Sequence, residues 1–155
     1  MTQEEEIIIV PGRWDLPFRH TAGRVASHFF HGLKEKRILA LRCPRCRRVL
    51  MPPRPFCERC FVPLDEWVEV GQQGTLEAFT VSYARFTGLP NPPYCLALVK
   101  LDGADSALQH LLGEVELEDV ERMKDSVRIG MRVEAVWREE REGGIQDIDH
   151  FRPIG

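Results

Sequence analysis

Four cysteines form two matching knuckles, Cys43-Pro-Arg-Cys46 and Cys57-Glu-Arg-Cys60, with ten residues between them. Thiolate is a soft ligand, a C-x2-C turn aims two sulfurs at one ion, and two such turns close a tetrahedral four-sulfur shell. That donor set suits Zn²⁺ held by bonds of about 2.3 Å. It leaves no position for water, so the ion would be structural and not a source of hydroxide. Iron in a rubredoxin-like site is the alternative that four thiolates leave open. A fifth cysteine, Cys95, lies in the apolar run Tyr-Cys-Leu-Ala-Leu-Val at 94–99. Nothing beside it supplies the base, cation or helix start that would activate a thiol, so it reads as a core side chain.

Six arginines crowd the knuckles, Arg42, Arg45, Arg47, Arg48, Arg54 and Arg59, against the single Glu58. A guanidinium donates in pairs to phosphate or carboxylate, which makes Arg45, Arg47, Arg48 and Arg54 candidate anion contacts. Nucleic acid, the phosphates of a cofactor such as coenzyme A, and an acidic protein surface all fit, and a solvated face balanced elsewhere in the chain competes with them. The net charge of −3 hides a division: residues 1–18 carry one base and four acids, 19–60 eleven bases and two acids, and 61–155 nine bases and eighteen acids. A positive half this large calls for an anionic partner, an internal mate, or both.

No Ser/His/Asp set, phosphate loop or dinucleotide fingerprint can be assembled. His28 and His31 stand three apart without a carboxylate and read as a solvated face; His20, His110 and His150 are isolated in sequence. The acids at 114–121 read as a solvated helix start. By itself the chain does not read as an enzyme.

The elements that must position these residues follow from periodicity. Over 20–37 the apolar positions Ala22, Val25, Ala26, Phe29, Phe30 and Leu33 recur at helical spacing, with Thr21 placed to cap the start and Lys34, Lys36 and Arg37 near the end, where the helix dipole favours cations. Phe29, Phe30 and Leu33 form a stripe that could pack internally or dock a partner. A short strand at 38–41 leads into Cys43. After Cys60 short apolar runs alternate with turns, giving candidate strands at 66–70, 75–83, 94–101, 107–114, 131–139 and 145–151, with a short helix at 117–123. Curled strands with one late helix suit a Greek-key barrel of the OB type; a small sandwich is the alternative. The expected organisation is an irregular acidic arm at 1–18, an amphipathic helix at 19–37, a zinc ribbon at 38–64 and an OB-fold barrel at 65–155. No apolar run approaches the ~20 residues of a membrane span, and the paired thiols with no leader point to a cytoplasmic protein.

Three residue sets together resemble a known family: Phe29-Phe30-His-Gly-Leu33 on the leading helix, the four-cysteine ribbon with Pro52-Pro53-Arg54 between its knuckles, and barrel runs that include Gly74-Thr75-Leu76 and Gly-Met-Arg-Val at 130–133. They resemble the small proteins that join a rubredoxin-like zinc ribbon to an OB fold and associate with acyl-CoA enzymes, usually thiolases. The resemblance implies structural zinc on Cys43, Cys46, Cys57 and Cys60. It also implies a docking role for the Phe29, Phe30 and Leu33 helix, and acyl-CoA as a ligand of the complex. The function it implies is that of a non-catalytic accessory subunit that shapes or covers the acyl-CoA site of a thiolase-like partner. An aldolase or hydratase partner, or a nucleic-acid-binding role, are the alternatives; the acidic barrel half, poor in aromatics, argues against nucleic acid.

Overall fold

The structure, a computed structural model, describes residues 8, 10–12 and 18–155. The acidic arm expected over 1–18 lies largely outside the described residues.

Helix α1 spans Gly23–Lys34 and buries Phe29, Gly32 and Leu33. It starts without the cap expected from Thr21: Ala22 takes the N-cap position and no side chain accepts from the first turn. Its end is held from elsewhere in the chain. Lys36 turns the backbone at φ 59, Arg141 Nε donates to the Lys34 carbonyl at 2.9 Å and Gln72 Nε2 to the Lys36 carbonyl at 2.8 Å. Those acceptors would otherwise be orphaned at a helix end. Gly32 is required by contact, because a Cβ there would stand 2.8 Å from Leu39 Cδ1 and 3.1 Å from the Arg37 carbonyl oxygen.

Under the helix runs a three-stranded antiparallel sheet in the order β2-β1-β3, from β1 (Ile38–Arg42), β2 (Val49–Leu50) and β3 (Glu66–Val70). The strand at 66–70, expected as the first of the barrel, pairs instead with β1, from Ile38 opposite Val70 to Arg42 opposite Glu66. Ile38, Leu39, Ala40 and Leu41 are all buried. The apolar run that reads as a short strand is covered on both faces: Ile38 and Ala40 join the cluster of α1 and barrel residues, and Leu41 joins the cluster around Cys43 and Cys57.

The barrel consists of β4 (Gln73–Ser82), β5 (Tyr94–Leu101), β6 (Leu108–Leu112), β7 (Arg132–Trp137) and β8 (Ile148–Pro153). It closes in the order β4-β5-β6-β8-β7, with β6 and β8 parallel and β7 returning to β4. This is the five-stranded Greek-key closure of an OB fold, and α2 (Val120–Ser126) fills the connection from β6 to β7. Alternation along β5 sends Cys95, Ala97, Val99 and Leu101 inward and Leu96, Leu98 and Lys100 outward. A three-residue 3-10 turn at Ile145–Asp147 precedes β8, where a continuous strand from 145 was expected.

Helix, ribbon sheet and barrel share one core: Phe29 and Leu33 belong to the same buried cluster as Ile38, Ala40, Val49, Met51 and Val70 and as Leu76, Val99 and Val133. Polar clasps reinforce the join. Asp105 Oδ2 accepts from Val49 N and Asp105 N donates to Val49 O, each at 2.8 Å; Ser106 Oγ receives Met51 N at 2.7 Å and donates back to Met51 O at 2.8 Å. The open edge of β2 is thus satisfied by a turn of the barrel, which removes an exposed pairing edge.

Candidate metal centre and surrounding surfaces

Each knuckle is built by its own backbone. Arg47 N donates to Cys43 O at 2.9 Å and Phe61 N to Cys57 O at 2.8 Å, and in both turns the residue after the second cysteine lies in the left-handed region, Arg47 at φ 62 and Phe61 at φ 52. The turns bring the four sulfurs within 4.8 Å of one another. Cys46 and Cys57 Sγ stand 3.8 Å apart, the edge expected of a tetrahedron whose metal–sulfur bonds are about 2.3 Å. The donor set therefore fits Zn²⁺.

Electrostatics says the same. Burial opposes ionisation of Cys43, but the backbone N–H groups of Cys46 and Arg45 and the adjoining thiols outweigh it and bring that thiol down to about 7. Cys60 is pushed up to about 12, first by burial and then by Cys46, Cys43 and Cys57. Four sulfurs in contact cannot all ionise unaided, and a dication removes that obstacle. Leu41, Leu50 and Leu64 pack around Cys43 and Cys57 as a second small core, flanked by Val25 and Trp67.

The structure sorts the arginines. Glu66 takes Arg42 at 2.7 Å and Arg47 at 3.1 Å; Glu58 takes Arg48 at 3.0 Å and Arg54 at 3.4 Å. Arginine contacts hold both carboxylates below their ordinary range, with Glu58 helped first by its own backbone N–H. Four thiolates around a dication leave a charge of about −2, so part of the positive cluster balances the metal site itself. Among the described residues no carboxylate pairs with Arg45 or Arg59.

The expected docking stripe is mostly internal. Phe29 is 3% exposed and Leu33 fully buried, in a cluster shared with β1 and the barrel, though the edge of Phe29 still lines the cleft beside Phe30. Phe30 is half-buried and lines an apolar cleft of ≈ 470 Å³ with Ala26, Pro52, Pro53, Leu98 and Ile145. Gln109, Leu98 and Leu96 carry this cleft into two neighbours of ≈ 250 and ≈ 560 Å³, the last closed by Leu89 and Pro90 of the β4–β5 loop. Together they follow the outer face of β5 and β6, flanked by the β4–β5 and β7–β8 loops, where OB folds bind ligands. The outward side chains Leu96, Leu98, Gln109 and Leu111 are uncharged; the one guanidinium lining the ≈ 560 Å³ cleft, Arg138, is held by Asp149 at 3.0 Å.

Of the remaining candidates, Cys95 is fully buried, and burial pushes its thiol up to about 11, which suits a core residue and disarms a nucleophile. His110, isolated in sequence, proves to be an inward barrel residue. Its Nε2 stands 3.1 Å from the Ile145 carbonyl, as a donor in the neutral ring, while Nδ1 is buried without a hydrogen-bond partner. Its place between Leu108 and Leu112 was the available signal. Asp105 and Ser106 escaped sequence reading because their role as a false strand edge depends on a partner more than fifty residues away. No helix among the described residues is long and apolar enough to cross a membrane.

Comparison with known proteins gives two contiguous family matches. Residues 30–66 match the rubredoxin-like zinc ribbon domain of ChsH2, and residues 67–138 its C-terminal OB-fold domain. A probable enoyl-CoA hydratase alpha subunit of Thermomonospora curvata is 28% identical over 125 residues, covering 78% of this chain and 35% of its own length. The chain thus spans about a third of that relative. A DUF35 domain-containing scaffold protein of Methanocaldococcus jannaschii is 27% identical over 76% of this chain and 82% of its own. Among solved structures, an Ltp2-ChsH2(DUF35) aldolase chain superposes with a TM-score of 0.64 at 26% identity, covering 87% of this chain and 98% of that one. A DUF35-family protein of Sulfolobus solfataricus, at 22% identity and a TM-score of 0.58, shares the fold.

Proposed function

The chain belongs to the family of ChsH2-type zinc-ribbon and OB-fold proteins, and on that premise we propose that it is a non-catalytic scaffold subunit of an acyl-CoA enzyme. The observation that carries this is the joining of both modules through one core, in a chain similar along most of its length to a protein named as a scaffold and to a chain of an aldolase assembly. Within that class a thiolase-type catalytic subunit is the partner we favour, with the chain shaping or covering the acyl-CoA entrance. The apolar groove along β5 and β6 is suited to an uncharged part of the partner or of the thioester ligand, and Phe30 with Pro52 and Pro53 forms its rim.

The zinc acts at a distance from any chemistry. Cys43, Cys46, Cys57 and Cys60 would hold it, and it would supply a closed structural crosslink. Leu41, Leu50 and Leu64 pack around two of its ligands, and β1 carries that order to the shared core and so to the groove. Co-purification of the chain from its native cell, with identification of what accompanies it, tests the proposal. A thiolase-fold enzyme recovered in fixed ratio supports it in full. A hydratase or aldolase in that place keeps the scaffold and replaces the partner; acyl-CoA turnover by the purified chain alone would sink the idea.

A further inference from the structure

Phe61 occupies a costly place for no internal reason. Its backbone lies at φ 52, where a Cβ is crowded and glycine is not, yet its ring is 82% exposed and contributes little packing to this chain. The other knuckle has Arg47 at the same step, and there Glu66 holds the side chain at 3.1 Å. Phe56, 51% exposed, pairs through its backbone with Pro63 across the same turn. Arg45 and Arg59 hold equivalent positions in the two knuckles, both exposed. They are the two arginines of the cluster that no carboxylate engages among the described residues.

We infer that the tip of the zinc ribbon is a docking surface for an acidic face of a partner protein, with Phe61 as its anchor and Arg45 and Arg59 as its rim. An exposed aromatic side chain together with unpaired arginines is the composition of interface hot spots. The occupant follows from charge: two cations that no carboxylate engages among the described residues call for carboxylates on the partner, and a projecting ring calls for an apolar recess between them. A metal held by the four cysteines beneath would make the tip rigid, so that the anchor is presented at small entropic cost. The inference rests on the scaffold reading, and names the catalytic subunit as the occupant.

The test uses the full zinc-loaded chain and the catalytic subunit recovered with it, with affinity measured by calorimetry and stability by thermal unfolding. Phe61→Gly should weaken binding by about thirtyfold or more, the loss expected of an anchor, and should raise the melting temperature, because glycine accepts the left-handed backbone without strain. Arg45→Glu with Arg59→Glu should weaken binding further and flatten its dependence on salt. Wild-type affinity in the glycine variant overturns the docking inference and leaves the scaffold reading standing, as does a fall in melting temperature alongside the lost binding, which would make Phe61 structural. A wild-type chain that binds no acyl-CoA enzyme overturns both. Salt-sensitive binding of oligo-dT that the charge reversal abolishes, or a self-associated wild type that Phe61→Gly dissociates, assigns the tip to nucleic acid or to a second copy and overturns the proposal.

Discussion

Replacing Phe29 with alanine separates a core residue from a docking residue. The ring is 3% exposed, in the cluster where α1, β1 and the barrel meet. Truncating a buried phenylalanine costs about 3–5 kcal/mol, through lost transfer energy and a cavity that surrounding atoms only partly fill. For a chain of this length about 1 kcal/mol moves the melting temperature by ~3 °C, so the expected fall is about 9–15 °C. Thermal unfolding followed by circular dichroism, with zinc release read in the same cell by a chelating dye, is the assay. Both signals should move together, because ribbon and barrel share the core that Phe29 fills. Phe30→Ala, on the half-buried side of the same helix, should shift the transition much less. A change under about 2 °C for Phe29→Ala, below the smallest effect expected for a core ring, would refute the reasoning. So would zinc release and barrel melting that separate into two transitions in the wild type.

Cys57→Ser should lower bound zinc from about one ion per chain to near zero and disorder the ribbon, since metal binding and folding of such a site are coupled; metal analysis and Trp67 fluorescence check it, and retained stoichiometric zinc would contradict it. Gly74→Ala should destabilise by more than about 1 kcal/mol, because its Cβ would stand 2.5 Å from the Lys100 carbonyl oxygen and 2.9 Å from Leu101 Cα, backbone atoms of a paired strand that cannot step aside; urea unfolding measures it. Burial lowers the His110 pKa below its ordinary value, against the Ile145 carbonyl and lesser contacts that raise it. The unfolded chain, with its histidine near 6.5, therefore binds the proton first as pH falls. This contribution to stability is complete above about pH 6.5 and is lost as pH drops toward the folded value. His110→Gln should flatten the decline in urea midpoint between pH 7.5 and the onset of carboxylate titration near ~4.5, and an undiminished decline would show that another group drives it.

The cysteine tetrad and most strands were legible because their signals are local. Two knuckles specify a four-sulfur shell whatever surrounds them, and the alternation at 94–101 fixes one wet and one buried face. What escaped depended on tertiary context. The strand at 66–70 looks the same whether it opens a barrel or closes a ribbon sheet, and only its pairing with Ile38–Arg42 decides. The aromatic stripe of α1 is equally apolar inside or at an interface; its burial of Phe29 and Leu33 follows from the close approach to Leu39 that Gly32 permits. Thr21 has the chemistry of a cap, but the helix starts at Gly23 with Ala22 as its cap residue. The arginines read as one positive patch until Glu58 and Glu66, one inside the cluster and one beyond it, divided them into paired and unpaired sets.

The scaffold reading is tested most directly by acyl-CoA turnover measured with the catalytic subunit alone, the zinc-loaded chain alone, and the two titrated together. The expected result is no turnover by the chain alone and a rate that rises with added chain to a fixed stoichiometric end point. That rise should be lost when Cys57→Ser replaces the wild type. Turnover by the chain alone, or a catalytic subunit whose rate and assembly are unchanged by it, would contradict that reading.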